Sequence, residues 1–317
     1  MFTRRIQLIA NTTYSVSLPK SWIRKHNLKP KSEVQIQETA NKSLLISTES
    51  KTKSNPTEIR LDFRSFTQNI EGVVMACYYK GYENITVYSD TAIDERYKIK
   101  LRRLVSYMSG AEISFEDEKT IAITNLLDKS KVDVRRSLYR IALVLESSIK
   151  SMVTGSIKDP EVIEQNETEV DRLSHLVTKI CSLAMDDMKI LTTSKINDVG
   201  SIPSFLVIVK KLENVGDSLV DIAETIRQKG NIGDDLELLV KIADELKGGM
   251  RNIISESGKM FSKIEEKELE KIESKIAMIS DETVRTNVRE IIDYMMDIEA
   301  SLITISFNEK VLKEKAS

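Results

Sequence analysis

The sequence predicts a multidomain, mainly α protein: a small β head, a small α/β middle segment and a duplicated three-helix bundle. Three observations carry this reading. Short alternating runs near the N-terminus give way at about Asp133 to sustained helical spacing of apolar residues. Glycine and proline are few, at 11 and 5 in 317 residues, which favours long uninterrupted helices. Two late helices repeat one another's pattern. A change of period from two to 3.6 marks the passage from strands to helices, and the boundaries expected are 1–50, 57–127 and 133–317.

The head comes first. Arg5-Ile6-Gln7-Leu8-Ile9 and Tyr14-Ser15-Val16-Ser17-Leu18 alternate and read as strands joined across Ala10-Asn11-Thr12-Thr13. Pro19 ends the second strand, and Ser21 to His26 fits one or two helical turns with Ser21 as cap. Val34-Gln35-Ile36-Gln37 and Ser43-Leu44-Leu45-Ile46 make a second hairpin across Thr39 to Lys42. Trp22 is expected as the anchor of this small core. The polar stretch from Thr48 to Pro56 reads as a linker.

The middle segment mixes periods. Strands are expected over 58–63, 85–88, 112–115 and 120–124, with helices over 66–79 and 93–108. The basic run Arg96, Lys98, Lys100, Arg102 and Arg103 reads as a solvated helix face.

From Asp133 on, Val134, Leu138, Ile141, Leu145 and Met152 form one 3-4 seam, and Leu236, Leu239, Ala243, Leu246, Met250, Ile253 and Met260 form another. Bundle helices bury such seams against one another. Asp159-Pro160-Glu161 reads as a helix start, and Arg227, Lys229 and Gly230 as a stop. Six helices are expected, over 133–153, 160–186, 199–229, 234–262, 264–279 and 281–313. Leu212 to Ile222 and Ile292 to Leu302 match in their apolar and acidic positions, so the six divide into two units of three, 133–230 and 234–313.

Composition excludes several classes. The net charge is -2, so the whole chain has no polyelectrolyte character. The head differs: it has no acid before Glu33, yet contains Arg4, Arg5, Lys20, Arg24, Lys25, Lys29 and Lys31. Such asymmetry points to an anionic partner. The two cysteines, Cys77 and Cys181, make no disulfide framework or metal motif. No apolar run approaches the roughly 18 residues that span a bilayer, so a cytoplasmic location is expected. With two histidines, no Gly-rich phosphate loop and no G-x-S-x-G elbow, the chain does not read as an enzyme. His175 is expected as a helix-surface or interface residue.

Carboxylates four apart share one helix face. Glu167 and Asp171, Glu213 and Asp217, and Asp293 and Asp297 all repeat this spacing, with Glu266 and Glu270 as a fourth pair. Stacked carboxylates suit hard cations that want several oxygens; the plain alternative for any one pair is a solvated face. Leu212-Glu213-Asn214-Val215-Gly216-Asp217, with Glu167 to Asp171, resembles the paired acidic motifs of the PhoU family, although Asn214 stands where arginine is common. The second unit departs further, with Asp293 for glutamate and Glu270 for aspartate.

That resemblance covers the helical part. It implies two three-helix units, a role in phosphate homeostasis, and multinuclear metal binding by Glu167, Asp171, Glu213, Asp217, Asp293 and Asp297; their oxygen-only ligand set favours a divalent or trivalent ion such as Mg, Mn, Fe or Ca. Arg5-Ile6-Gln7 and Tyr14 to Trp22, with Leu28 and Val34, resemble the AbrB/MazE/SpoVT swapped-hairpin DNA-binding domain. This implies a homodimer with Arg4, Arg5, Lys20, Arg24 and Lys25 on DNA. The combination looks like an archaeal arrangement of phosphate-uptake regulators. Two functions are expected of it: a dimeric DNA-binding transcriptional regulator, or a regulator that restrains a phosphate transporter or sensor through protein contacts. In the second case the head only dimerises the chain.

Overall fold

The computed structural model describes residues 3–38, 44–48, 57–153, 161–229, isolated positions between 239 and 251, and 266–316. It separates into two compact units, Met1–Ser54 and Asn55–Ser317.

The first unit contains two antiparallel hairpins and a short helix. β1 (Gln7–Ile9) pairs with β2 (Thr13–Ser15). Ala10 and Asn11 both take positive φ between them, the backbone that a tight hairpin turn with the right twist requires. α1 spans Lys20–Lys25; its N-cap is Pro19 rather than the expected Ser21, and no side chain caps it. Proline fixes φ and needs no N–H partner there. β3 (Val34–Glu38) pairs with β4 (Leu44–Thr48), and the expected turn between them lies outside the described residues, as does most of the linker. Two short hairpins enclose little. Among the head's described side chains only Thr48 is buried. Trp22 is half-buried beside the His26 ring, at 5.0 Å, and anchors no core among the described residues.

In the second unit the α/β segment has the expected order. β5 (Glu58–Asp62) leads into a helical turn α2 (Phe63–Phe66), capped by Asp62 accepting from the Arg64 N–H. A 3-10 turn precedes α3 (Ile70–Lys80), so one expected helix is broken in two. β6 (Asn84–Tyr88), α4 (Glu95–Ser106), β7 (Ala111–Glu116) and β8 (Thr120–Asn125) follow. The sheet order is β5-β6-β8-β7, with β5 and β6 parallel. A parallel pair needs a crossover, and α3 supplies it. Leu61, Ile85, Val87, Ile121 and Ile123 bury one sheet face in a core shared with Val74 of α3 and Leu101 of α4. The basic run on α4 is exposed except at Lys98, which is buried and donates to the Asp117 carbonyl at 2.7 Å.

The helical part contains α5 (Val134–Val153), α6 (Glu161–Ala184), a short unanticipated α7 (Met188–Thr193), α8 (Ile202–Lys229), α9 (Glu266–Met278) and α10 (Glu282–Ala316). The seam Val134, Leu138, Ile141, Leu145 and Met152 is fully in the core. One apolar cluster runs through all of these helices, with α6 and α10 both packed on α8. The expected helix 234–262, the Asp159-Pro160 start and Gly230 lie wholly or mostly outside the described residues. Among the described residues, no helix is long and apolar enough to cross a membrane.

α3 packs on α6, which joins the α/β segment to the bundle. The Tyr78 hydroxyl donates to the Ser109 carbonyl, and the Ser109 hydroxyl in turn meets the Arg172 backbone of α6. Lys179 of α6 is fully buried, with Nζ 3.8 Å from the centre of the Tyr78 ring. Its Nζ has no hydrogen-bond partner among the described residues.

Candidate metal centre

α6 and α8 run side by side because Val170 and Val177 of one and Leu212, Val215 and Leu219 of the other are buried in the common core. Glu167 and Asp171 are one turn apart on α6, and Glu213 and Asp217 one turn apart on α8. The packing brings Glu167, Asp171 and Asp217 together, with one carboxylate oxygen from each within 4.8 Å of the others. Glu213 turns aside, its carboxylate accepting from Lys210 Nζ at 2.9 Å.

The electrostatics show a crowded anionic group. Burial raises the Asp171 carboxyl to about 7, helped by the charges of Glu167, Glu213 and Asp217. Burial also raises Glu167, against a lowering hydrogen bond from Asp171, with Asp217 and Glu213 raising it further. Asp217 keeps solvent contact, and is raised by partial desolvation and then by Glu213. Desolvation disfavours a charged carboxylate, and neighbouring anions add to this. Cation density is thin here: Arg103 acts on Glu167, and Lys210 is held by Glu213. Oxygen donors alone, converging from two helices and short of compensating charge, fit a hard cation such as Mg, Mn, Ca or Fe.

Two further groups border the carboxylates. The Tyr79 hydroxyl lies 2.6 Å from His175 Nδ1, joining α3 to α6 one turn beyond Asp171. Burial pushes the Tyr79 phenol up to about 12, with Glu213 and Asp171 adding to it. Burial lowers His175 while Glu213 opposes the change. His175, expected as a helix-surface or interface residue, is half-buried and faces Tyr79 of α3. Tyr79 was invisible in the sequence, since it sits in an apolar helix with no motif. Lys210 carried a weak signal, a lysine three residues before Glu213.

The acidic pairs expected of a second three-helix unit are different. Asp293 and Asp297 are both exposed, and Asp297 pairs with Lys211 Nζ at 2.8 Å, which also lies over the Tyr294 ring. Glu270 is exposed, and the Glu266 side chain lies outside the described residues. Among the described residues, Glu167, Asp171 and Asp217 make the one carboxylate group of metal-holding geometry. In the head, Arg4, Arg5, Lys20, Arg24 and Lys25 are all exposed, the last two in the final turn of α1.

Comparison with known families falls on these same two regions. Residues 134–226 match the family model described as the PhoU domain. Residues 7–56 match the model described as antidote-toxin recognition MazE, bacterial antitoxin. No curated protein and no solved structure matches the chain.

Proposed function

We propose that this chain, with a PhoU domain over residues 134–226 behind a MazE-type head over residues 7–56, is a cytoplasmic, non-catalytic regulator of phosphate homeostasis. In this reading it is a homodimer that binds DNA through the head and a divalent or trivalent cation through Glu167, Asp171 and Asp217. The cation would supply charge neutralisation and a bridge between α6 and α8. The observation that carries the reading is the exposure of every one of Arg4, Arg5, Lys20, Arg24 and Lys25 on a head free of acids before Glu33. Clustered cations attract the phosphate backbone and release its counterions.

The head's apolar side chains support a dimer. Ile6 is 73% exposed and Tyr14 75%, with Leu8, Ile9, Ile36 and Leu44 also open. A piece of about 50 residues makes a poor core alone, and a second copy would cover these side chains. The test is duplex binding by the full chain, followed by fluorescence anisotropy on genomic fragments over a range of salt. Binding that falls steeply with salt is expected. If no duplex binds even at low salt, the chain is instead a regulator that restrains a phosphate transporter or sensor through protein contacts.

A further inference from the structure

Glu167, Asp171, His175 and Lys179 recur every four residues along α6, so they form one stripe, each a turn from the next. The two ends of the stripe have different partners. Glu167 and Asp171 enter the carboxylate group with Asp217 of α8. His175 and Lys179 meet the α/β segment, through the Tyr79 hydroxyl at 2.6 Å and the Tyr78 ring at 3.8 Å. A single helical turn separates the last cation ligand from the first docking residue.

The docking contact is polar and enclosed. Lys179 is fully buried with its Nζ over the Tyr78 ring, so α3 cannot lift away without breaking that contact and opening this enclosed face to water. The Tyr79–His175 bond breaks in the same motion. α6 then loses the support of α3 beside Asp171, where like charges already press it away from α8.

We propose that docking of the α/β segment and filling of the carboxylate group are coupled through Tyr79 and His175, so that α3 is the element through which cation occupancy is passed out of the bundle. This rests on the cation reading of Glu167, Asp171 and Asp217. The physical basis is linkage. A cation bridging α6 and α8 binds only the intact arrangement, so every local opening that disturbs that arrangement becomes rarer in its presence.

Hydrogen exchange of the α3 backbone amides in the full chain tests this, with titration calorimetry recording whether Mn²⁺ binds. In the wild type, Mn²⁺ should release or absorb heat and slow α3 exchange at least several-fold. The ceiling is roughly 100-fold at a concentration of 100 times Kd. Tyr79→Phe keeps the ring and removes the hydroxyl, and α3 should then respond little to Mn²⁺. His175→Gln is the second variant should Tyr79→Phe lose its far-ultraviolet circular dichroism. Heat without any change in wild-type α3, or a Tyr79→Phe response equal to the wild type's, overturns the coupling. If the wild type gives no heat, the cation reading fails, and Asp171→Asn with Asp217→Asn decides alone. Slower α3 exchange in that double variant sustains the link between charge in the carboxylate group and α3 docking without a cation, because neutral groups relieve the same repulsion; unchanged exchange overturns it.

Discussion

Arg135, in the first turn of α5, and Glu309, near the end of α10, form a buried ion pair across the bundle. The Arg135 side chain is 2% exposed, donates also to the Lys195 carbonyl, and lies over the Phe205 ring. The pair fastens the last long helix to the first. Removing one member of a buried pair costs up to about 3–5 kcal/mol, and Glu309 supplies an anionic partner to the buried Arg135 guanidinium. Glu309→Ala should therefore lower the melting temperature by several degrees. Glu309→Gln, which keeps an acceptor, should lower it less. Differential scanning calorimetry of the three proteins gives the ranking, and equal melting temperatures would mean that this ion pair adds nothing to the hold on α10.

The cation site predicts a contrast between the Asp171/Asp217 group and the Asp293/Asp297 pair. A ligand that binds only the folded state raises the melting temperature. Added Mn²⁺ or Mg²⁺ should raise it in the wild type, and Asp171→Asn with Asp217→Asn should abolish that rise while leaving helical content nearly unchanged. Asp293→Asn with Asp297→Asn should leave the rise in place, because Asp293 is exposed and Asp297 is taken by Lys211. Thermal unfolding with and without metal distinguishes these outcomes. Loss of the rise in the second double variant would move the site to Asp293 and Asp297.

Much of the fold was legible because period alone separates strands from helices. The seam at Val134, Leu138, Ile141, Leu145 and Met152 is buried as spacing requires, and β5 to β8 fall within a residue or two of their expected bounds. Three of four carboxylates in the first-unit motif converge. Glu213 does not, since Lys210 one turn before it competes for its charge, and spacing cannot say which neighbour prevails. Tyr79 was hidden for another reason. Its partner His175 is 96 residues away, and pairings made only by tertiary packing leave no periodic mark.

The head's role predicts a salt dependence. Each phosphate neutralised contributes about 0.9 to the slope of log K against log salt on B-form DNA. Arg4→Ala with Arg5→Ala should flatten that slope by up to about 2 and weaken binding across all duplexes alike. Deleting the residues before Thr57 should abolish binding and convert dimer to monomer in light scattering. A dimer that survives the deletion places its interface in the second unit.

The carboxylate group also fixes how stability depends on pH. Asp171 stands at about 7 in the folded chain, against about 3.9 in an unfolded one, and Glu167 and Asp217 are raised as well. Between those limits the folded state binds more protons than the unfolded state, so stability falls as pH rises. The contribution is fully present near pH 4 and is lost as pH passes through 7. A chain stripped of metal by a chelator should thus melt lower at pH 8 than at pH 5.5, once the slope of Asp171→Asn is subtracted as reference. Bound cation displaces these protons and replaces the repulsion by attraction, so saturating Mn²⁺ should flatten the dependence or reverse it. Melting curves at several pH values, on wild type and Asp171→Asn, with chelator and with Mn²⁺, test both parts. A wild-type slope equal to that of Asp171→Asn in chelator would mean that Asp171 ionises as freely in the folded chain as in the unfolded one, and that the three carboxylates do not crowd one another in solution.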